Sequence, residues 1–118
     1  MSPTRLTELV KQAWIRTRFD APWVAQRAFK EDGEPNSWIH AYETSFKDGF
    51  GVAQLWANDT VIWRDEVHTL ADWEEVLLSA YWKPGDGRFG MEWHIAKAPV
   101  GEEYIIMWVS FICLFIDT

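Results

Sequence analysis

Tyr104-Ile105-Ile106-Met107-Trp108-Val109-Ser110-Phe111-Ile112-Cys113-Leu114-Phe115-Ile116 is the stretch that decides the fold. Only Ser110 interrupts its apolar run. At thirteen residues it is shorter than the ~20 a membrane-spanning helix needs. An extended chain that is apolar on both faces reads as a central strand covered on both sides. Before it stands Arg88-Phe89-Gly90-Met91-Glu92-Trp93-His94-Ile95-Ala96. Here Phe89, Met91, Trp93 and Ile95 fall on one face; Arg88, Glu92 and His94 fall on the other. Such alternation predicts a neighbouring strand with one face in the core and one toward solvent. Residues 99–103 read as the turn between the two.

Upstream, apolar residues at Leu6, Leu9, Val10, Ala13 and Trp14 predict a helix over 4–19, with Thr4 as N-cap. Pro22 disfavours helical geometry at Ala21 and ends it near Asp20. Strands are expected over 23–29 and 38–43, paired as a hairpin across the turn formers of 30–36. Residues 46–51 read as loop, 52–58 as a short helix or as the arm of a hairpin turning at Asn58-Asp59, with the helix favoured, and 60–64 as a short strand. Thr69-Leu70-Ala71-Asp72 resembles a capping box and opens a helix over 70–81, closed by the turn Lys83-Pro84-Gly85-Asp86-Gly87. The resulting order, α-β-β-(α)-β-α-β-β, predicts an α+β two-layer sandwich in which a mixed sheet carries its helices on one face.

The chain has 118 residues, enough for one domain over 1–118 and not two. A chain of this size buries roughly 65% of its unfolded surface. With 48% hydrophobic residues it can fill a core, which argues against disorder. Eleven Lys and Arg against eighteen Asp and Glu give a net charge of -7. That balance disfavours binding to a nucleic-acid backbone, which needs a basic face. One cysteine excludes a disulfide framework and a Cys-rich zinc site. The first residues, MSPTRLTELVKQ, lack the apolar stretch of a secretory signal. The expectation is a cytoplasmic protein without membrane association. Nine Trp, spaced without a repeat, are expected to be mostly core residues.

Few residues suggest chemistry. Gly85-Asp86-Gly87 and Gly49-Phe50-Gly51 are too short for a phosphate loop and read as turns. His40, His68 and His94 lack metal-ligand spacing. His94 shares a strand face with Glu92 and is expected on the solvent side; His68 is expected in a loop. Glu74-Glu75 reads as a solvated helix face. Cys113 lies within the apolar run, where burial raises a thiol's pKa and makes an inert core residue the simpler reading.

The order of several motifs adds a resemblance. These are Leu9-Val10-Lys11-Gln12-Ala13-Trp14-Ile15-Arg16, Pro22-Trp23-Val24-Ala25, Trp56-Ala57-Asn58-Asp59-Thr60-Val61, Trp73-Glu74-Glu75-Val76-Leu77 and Tyr81-Trp82-Lys83-Pro84-Gly85-Asp86-Gly87-Arg88-Phe89-Gly90-Met91-Glu92. Over 6–118 the chain resembles the N-terminal half of fungal CoA-dependent O-acyltransferases, relatives of chloramphenicol acetyltransferase and the BAHD-type superfamily. The resemblance implies half of a chloramphenicol acetyltransferase-like fold. It also implies transfer of an acyl group from acyl-CoA, as co-substrate, to a hydroxyl of a secondary metabolite. In that family a His-x-x-x-Asp motif follows a central strand: the His is the general base and the Asp is structural. Asp117 stands where the motif's Asp falls, and Cys113 stands in place of the His. Counting instead from Ser110 puts Phe111 there. With the base and the second half of the fold both missing, the chain is expected to be a truncated or divergent member, inactive alone. It would act on a small-molecule acceptor, with a separate C-terminal half or a second copy of itself. No tightly bound cofactor is implied.

A second class of function competes with this. The same chain would serve as a non-catalytic small-molecule-binding or interaction domain that uses a Trp-rich half-fold. Acyl-CoA turnover separates the two.

Overall fold

Ser2 starts the first helix. In the computed structural model of the chain, which describes residues 1–30, 38–43, 49–76, 87–98, 101 and 103–110, its Oγ accepts from the Arg5 N–H at 3.1 Å. Pro3 fills the first helical position, where its missing N–H costs nothing, so the cap is Ser2 and not the expected Thr4. Helix α1 runs Pro3–Asp20 and ends where Pro22 requires. Pro22–Ala25 then forms a 3-10 turn, where a strand from residue 23 was expected. The ring of Pro22 fixes a turn-compatible φ, and Gln26 N–H donates to the Trp23 carbonyl at 3.1 Å.

The expected hairpin is present. Strands β1 (Arg27–Lys30) and β2 (Trp38–Ala41) pair antiparallel, with Arg27 opposite Ala41 and Lys30 opposite Trp38. Helix α2 (Gly49–Thr60) exceeds the expected short helix at both ends, and Gly49-Phe50-Gly51 forms its first turn rather than a free-standing one. Its buried residues, Ala53, Trp56, Ala57 and Thr60, follow the i, i+3, i+4, i+7 spacing of one face. Strand β3 is Val61–Trp63. Helix α3 (Leu70–Val76) carries the anticipated capping box. Asp72 Oδ2 accepts from the N–H groups of His68 and Thr69 at 2.9 and 3.0 Å, and Thr69 Oγ1 accepts from Asp72 N–H at 3.2 Å. The remainder of that expected helix, 77–81, lies outside the described residues.

Gly90 divides what reads as one strand over 88–96. Strand β4 (Arg88–Phe89) joins the hairpin, with Arg27 opposite Phe89. Gly90 N–H donates to the Gln26 carbonyl at 3.0 Å, and β5 (Met91–Lys97) enters a second sheet. Among the described residues two three-stranded sheets result, ordered β2-β1-β4 and β3-β5-β6, where β6 is Tyr104–Ser110. The first is antiparallel; in the second, β3 runs parallel to β5 and β6 antiparallel to it. The class is α+β.

Three expectations are corrected here. The described strands form two sheets, not one. The central strand of the second is β5, while β6 stands at the end of the described strands; residues 111–116 of the apolar run lie outside them. The helices cover both faces of this sheet. On one face α1 and α2 bury Met91 and Ile95 with Trp14, Trp56 and Val61. On the other, Trp73 of α3 packs with Val67 and Ala96, Ile105 and Met107 lying against them. Covering by α1 and α2 over β3 and β5 leaves the outer residues of β6 bare: Ile106 is 45% and Trp108 51% exposed.

Tryptophans organise the core only in part. Trp14, Trp56 and Trp73 are buried, whereas Trp23 and Trp108 are about half exposed. Trp14 stacks on Trp56 with ring centroids 4.8 Å apart and meets Trp93 edge-on at 5.9 Å. Its indole N–H donates to Thr60 Oγ1 at 3.0 Å, and that hydroxyl donates to the Trp56 carbonyl at 2.8 Å. The aromatic pair therefore adds both packing and a satisfied polar link between α1 and α2.

Candidate functional site

Glu92 and His94 share a face of β5, as the alternation indicates, but that face is buried. His94 is 0% exposed and Glu92 8%, which corrects the expectation of a solvent-side histidine. Trp73 covers the imidazole edge-on at 5.9 Å. Arg64 Nε donates to His94 Nδ1 at 3.1 Å, and His94 Nε2 lies 3.1 Å from Glu92 Oε1. Arginine has no acceptor and stays charged. Nδ1 must therefore carry a lone pair, and the proton sits on Nε2, donated to Glu92. Arg88 Nη2 stands 3.8 Å from the same carboxylate oxygen. Burial lowers the Arg88 pKa and Glu92 opposes that shift. The result is a polar chain, Arg64–His94–Glu92–Arg88, that links the residue after β3 to β5 and β4. Its members satisfy one another, as buried polar groups must. A histidine so enclosed is a structural link, not an exposed base.

The open site lies elsewhere. The first sheet presents Arg27, Phe29, Ala41 and Phe89 on one face, a consequence of register: Ala41 and Phe89 stand opposite Arg27 on the two flanking strands. Helix α2 faces them with Val52, Leu55, Trp56 and Asp59, and α1 adds Arg18 from its last turn. Between these elements is a cleft of about 470 Å³, within the range of small-ligand sites. Tyr42 and Glu43 complete its rim. Phe29, Tyr42 and Leu55 remain 37%, 48% and 67% exposed, so its mouth is an apolar surface open to water.

Its two arginines are held differently. Arg18 is buried at 6% exposure, with its guanidinium 5.2 Å from the Trp56 ring centre. Burial lowers its pKa, and the charge of Glu43 opposes that shift. Arg27 lies between two phenyl rings, 5.4 Å from Phe29 and 5.1 Å from Phe89. Its Nε donates to the Gly87 carbonyl at 2.7 Å. Gly87 has φ of +76°, and a Cβ there would come within 3.2 Å of Arg27 Nη2. The glycine thus gives the turn its left-handed backbone and the guanidinium its space.

Cys113 and Asp117, the candidate catalytic positions, lie outside the described residues. His68 is an exposed residue ahead of α3, and Glu74 and Glu75 are solvated, as expected. Sequence reasoning missed Arg18, Arg27, Trp56 and the two phenylalanines as a set. Arg27-Ala28-Phe29 and Arg88-Phe89 carry the same cation–aromatic composition on two strands, but their pairing across about sixty residues is set by the fold. Comparisons of the chain with protein-family models, curated proteins and solved structures find no match.

Proposed function

We propose that this chain binds a small organic molecule in the cleft between the first sheet and α2. The observation that carries this reading is the cleft itself: about 470 Å³ walled by Trp56, Phe29 and Phe89, with an apolar mouth and the polar groups of Arg18, Arg27, Tyr42, Glu43 and Asp59 to orient a ligand. Such composition is that of a small-molecule site.

The acyltransferase half remains the competing proposal. It rests on the sequence motifs and on Cys113 and Asp117, with acyl-CoA as co-substrate.

Mapping a library of aromatic fragments by amide chemical shifts tests the reading. Hits are expected to cluster on Ala25, Val52, Leu55 and Trp56, and Leu55→Arg, at the exposed mouth, is expected to weaken them at least about tenfold. Hits scattered over other surfaces, or turnover of acetyl-CoA with an alcohol panel, contradict it.

A further inference from the structure

Arg27 is the feature of the cleft whose chemistry is most specific. Five N–H donors make up a guanidinium. One, on Nε, is used by the Gly87 carbonyl at 2.7 Å, and the Nη groups donate to no protein partner among the described residues. The Gly87 carbonyl and the rings of Phe29 and Phe89, 5.4 and 5.1 Å from Cζ, hold this exposed guanidinium at the edge of the cleft. An oriented pair of Nη donors is the geometry that receives a carboxylate end-on, with two parallel charge-assisted bonds. Around it Phe29, Phe89, Trp56, Val52 and Leu55 supply apolar wall. Trp56 adds an indole N–H that bonds to no acceptor among the described residues. We infer that the ligand of this cleft is an aromatic carboxylate, a flat organic monoanion whose carboxylate pairs with the Nη groups of Arg27.

A single negative charge fits better than several. Glu43 and Asp59 line the cleft along with Arg18 and Arg27, so its formal charges balance. The whole chain carries -7 and repels polyanions at long range. Arg18 already faces the charge of Glu43, which leaves Arg27 as the anchor.

The inference rests on the cleft being the binding site, and three probes with one ring system keep the two claims apart. They are 1-naphthaleneacetate, its neutral amide 1-naphthaleneacetamide, and the dianion 1-naphthyl phosphate, each titrated by calorimetry and by amide shifts. The carboxylate is expected to bind at least about tenfold more tightly than the amide, and more tightly than the phosphate. Arg27→Met is expected to erase the preference for acid over amide; Arg27→Lys, which keeps charge but not the fork, to retain part of it. Should Arg27→Met fail to fold, the acid-to-amide ratio of the wild-type chain decides. Equal affinity of acid and amide in the cleft overturns the carboxylate and leaves the site standing. Tighter binding of the phosphate overturns the single charge. If none of the three shifts the cleft amides, the site itself is wrong.

Discussion

Gly87 shows how much one residue can carry. It takes a φ of +76°, its N–H donates to the Ala28 carbonyl at 2.6 Å, and its carbonyl holds Arg27 Nε. Gly87→Ala forces a side chain into the left-handed region and against the guanidinium. We expect a loss of about 1–3 kcal/mol in urea unfolding, with weaker binding of 1-naphthaleneacetate. Unchanged stability and affinity would refute the role given to this turn. His94 teaches a different lesson about single residues. Its position beside Glu92 on one face of β5 was legible from strand parity alone. That this face is covered was not, because the cover comes from Trp73 on a helix remote in sequence. Parity states which residues travel together; only packing states which side meets water.

Among the elements, α3 was the clearest in the sequence at its start, and Asp72 explains why. Its carboxylate accepts first from His68 N–H and then from Thr69 N–H, and these bonds hold it below the usual carboxylate range. The sign follows from the folded pKa lying below the unfolded one. The cap's contribution is complete above the unfolded value and is lost as pH falls through the folded value. Asp72→Ala is therefore expected to flatten the acid side of the melting temperature against pH, below the ordinary Asp range, with less change at neutral pH in the slope than in the level. An unchanged acid limb would contradict the cap. The hairpin was equally readable, since two β-rich segments flank a run of turn formers. The division at Gly90 was less so. Nothing in the alternation of 88–96 marks a change of sheet, because both strands keep period two and the switch depends on the pairing of Gly90 with Gln26. The apolar run from Tyr104 misled for a related reason. Two-sided hydrophobicity was read as central position, yet β6 fills one face against α3 and leaves Ile106 and Trp108 exposed on the other.

At the scale of the molecule, the exposed apolar residues of the described chain include the cleft mouth at Phe29, Tyr42 and Leu55 and the outer face of β6 at Ile106 and Trp108. The first lines a cleft that carries the guanidinium of Arg27. The α+β class followed from periodicity, whereas the cleft could not, since it needs α1, α2 and three strands brought together from across the chain. Isotope-filtered NOEs between labelled protein and unlabelled 1-naphthaleneacetate test whether this cleft holds the ligand. Contacts from the naphthyl protons to the methyls of Val52 and Leu55 and to the rings of Phe29 and Phe89 are the predicted result. Contacts to Ile106 and Trp108 instead, or none at all, would contradict it.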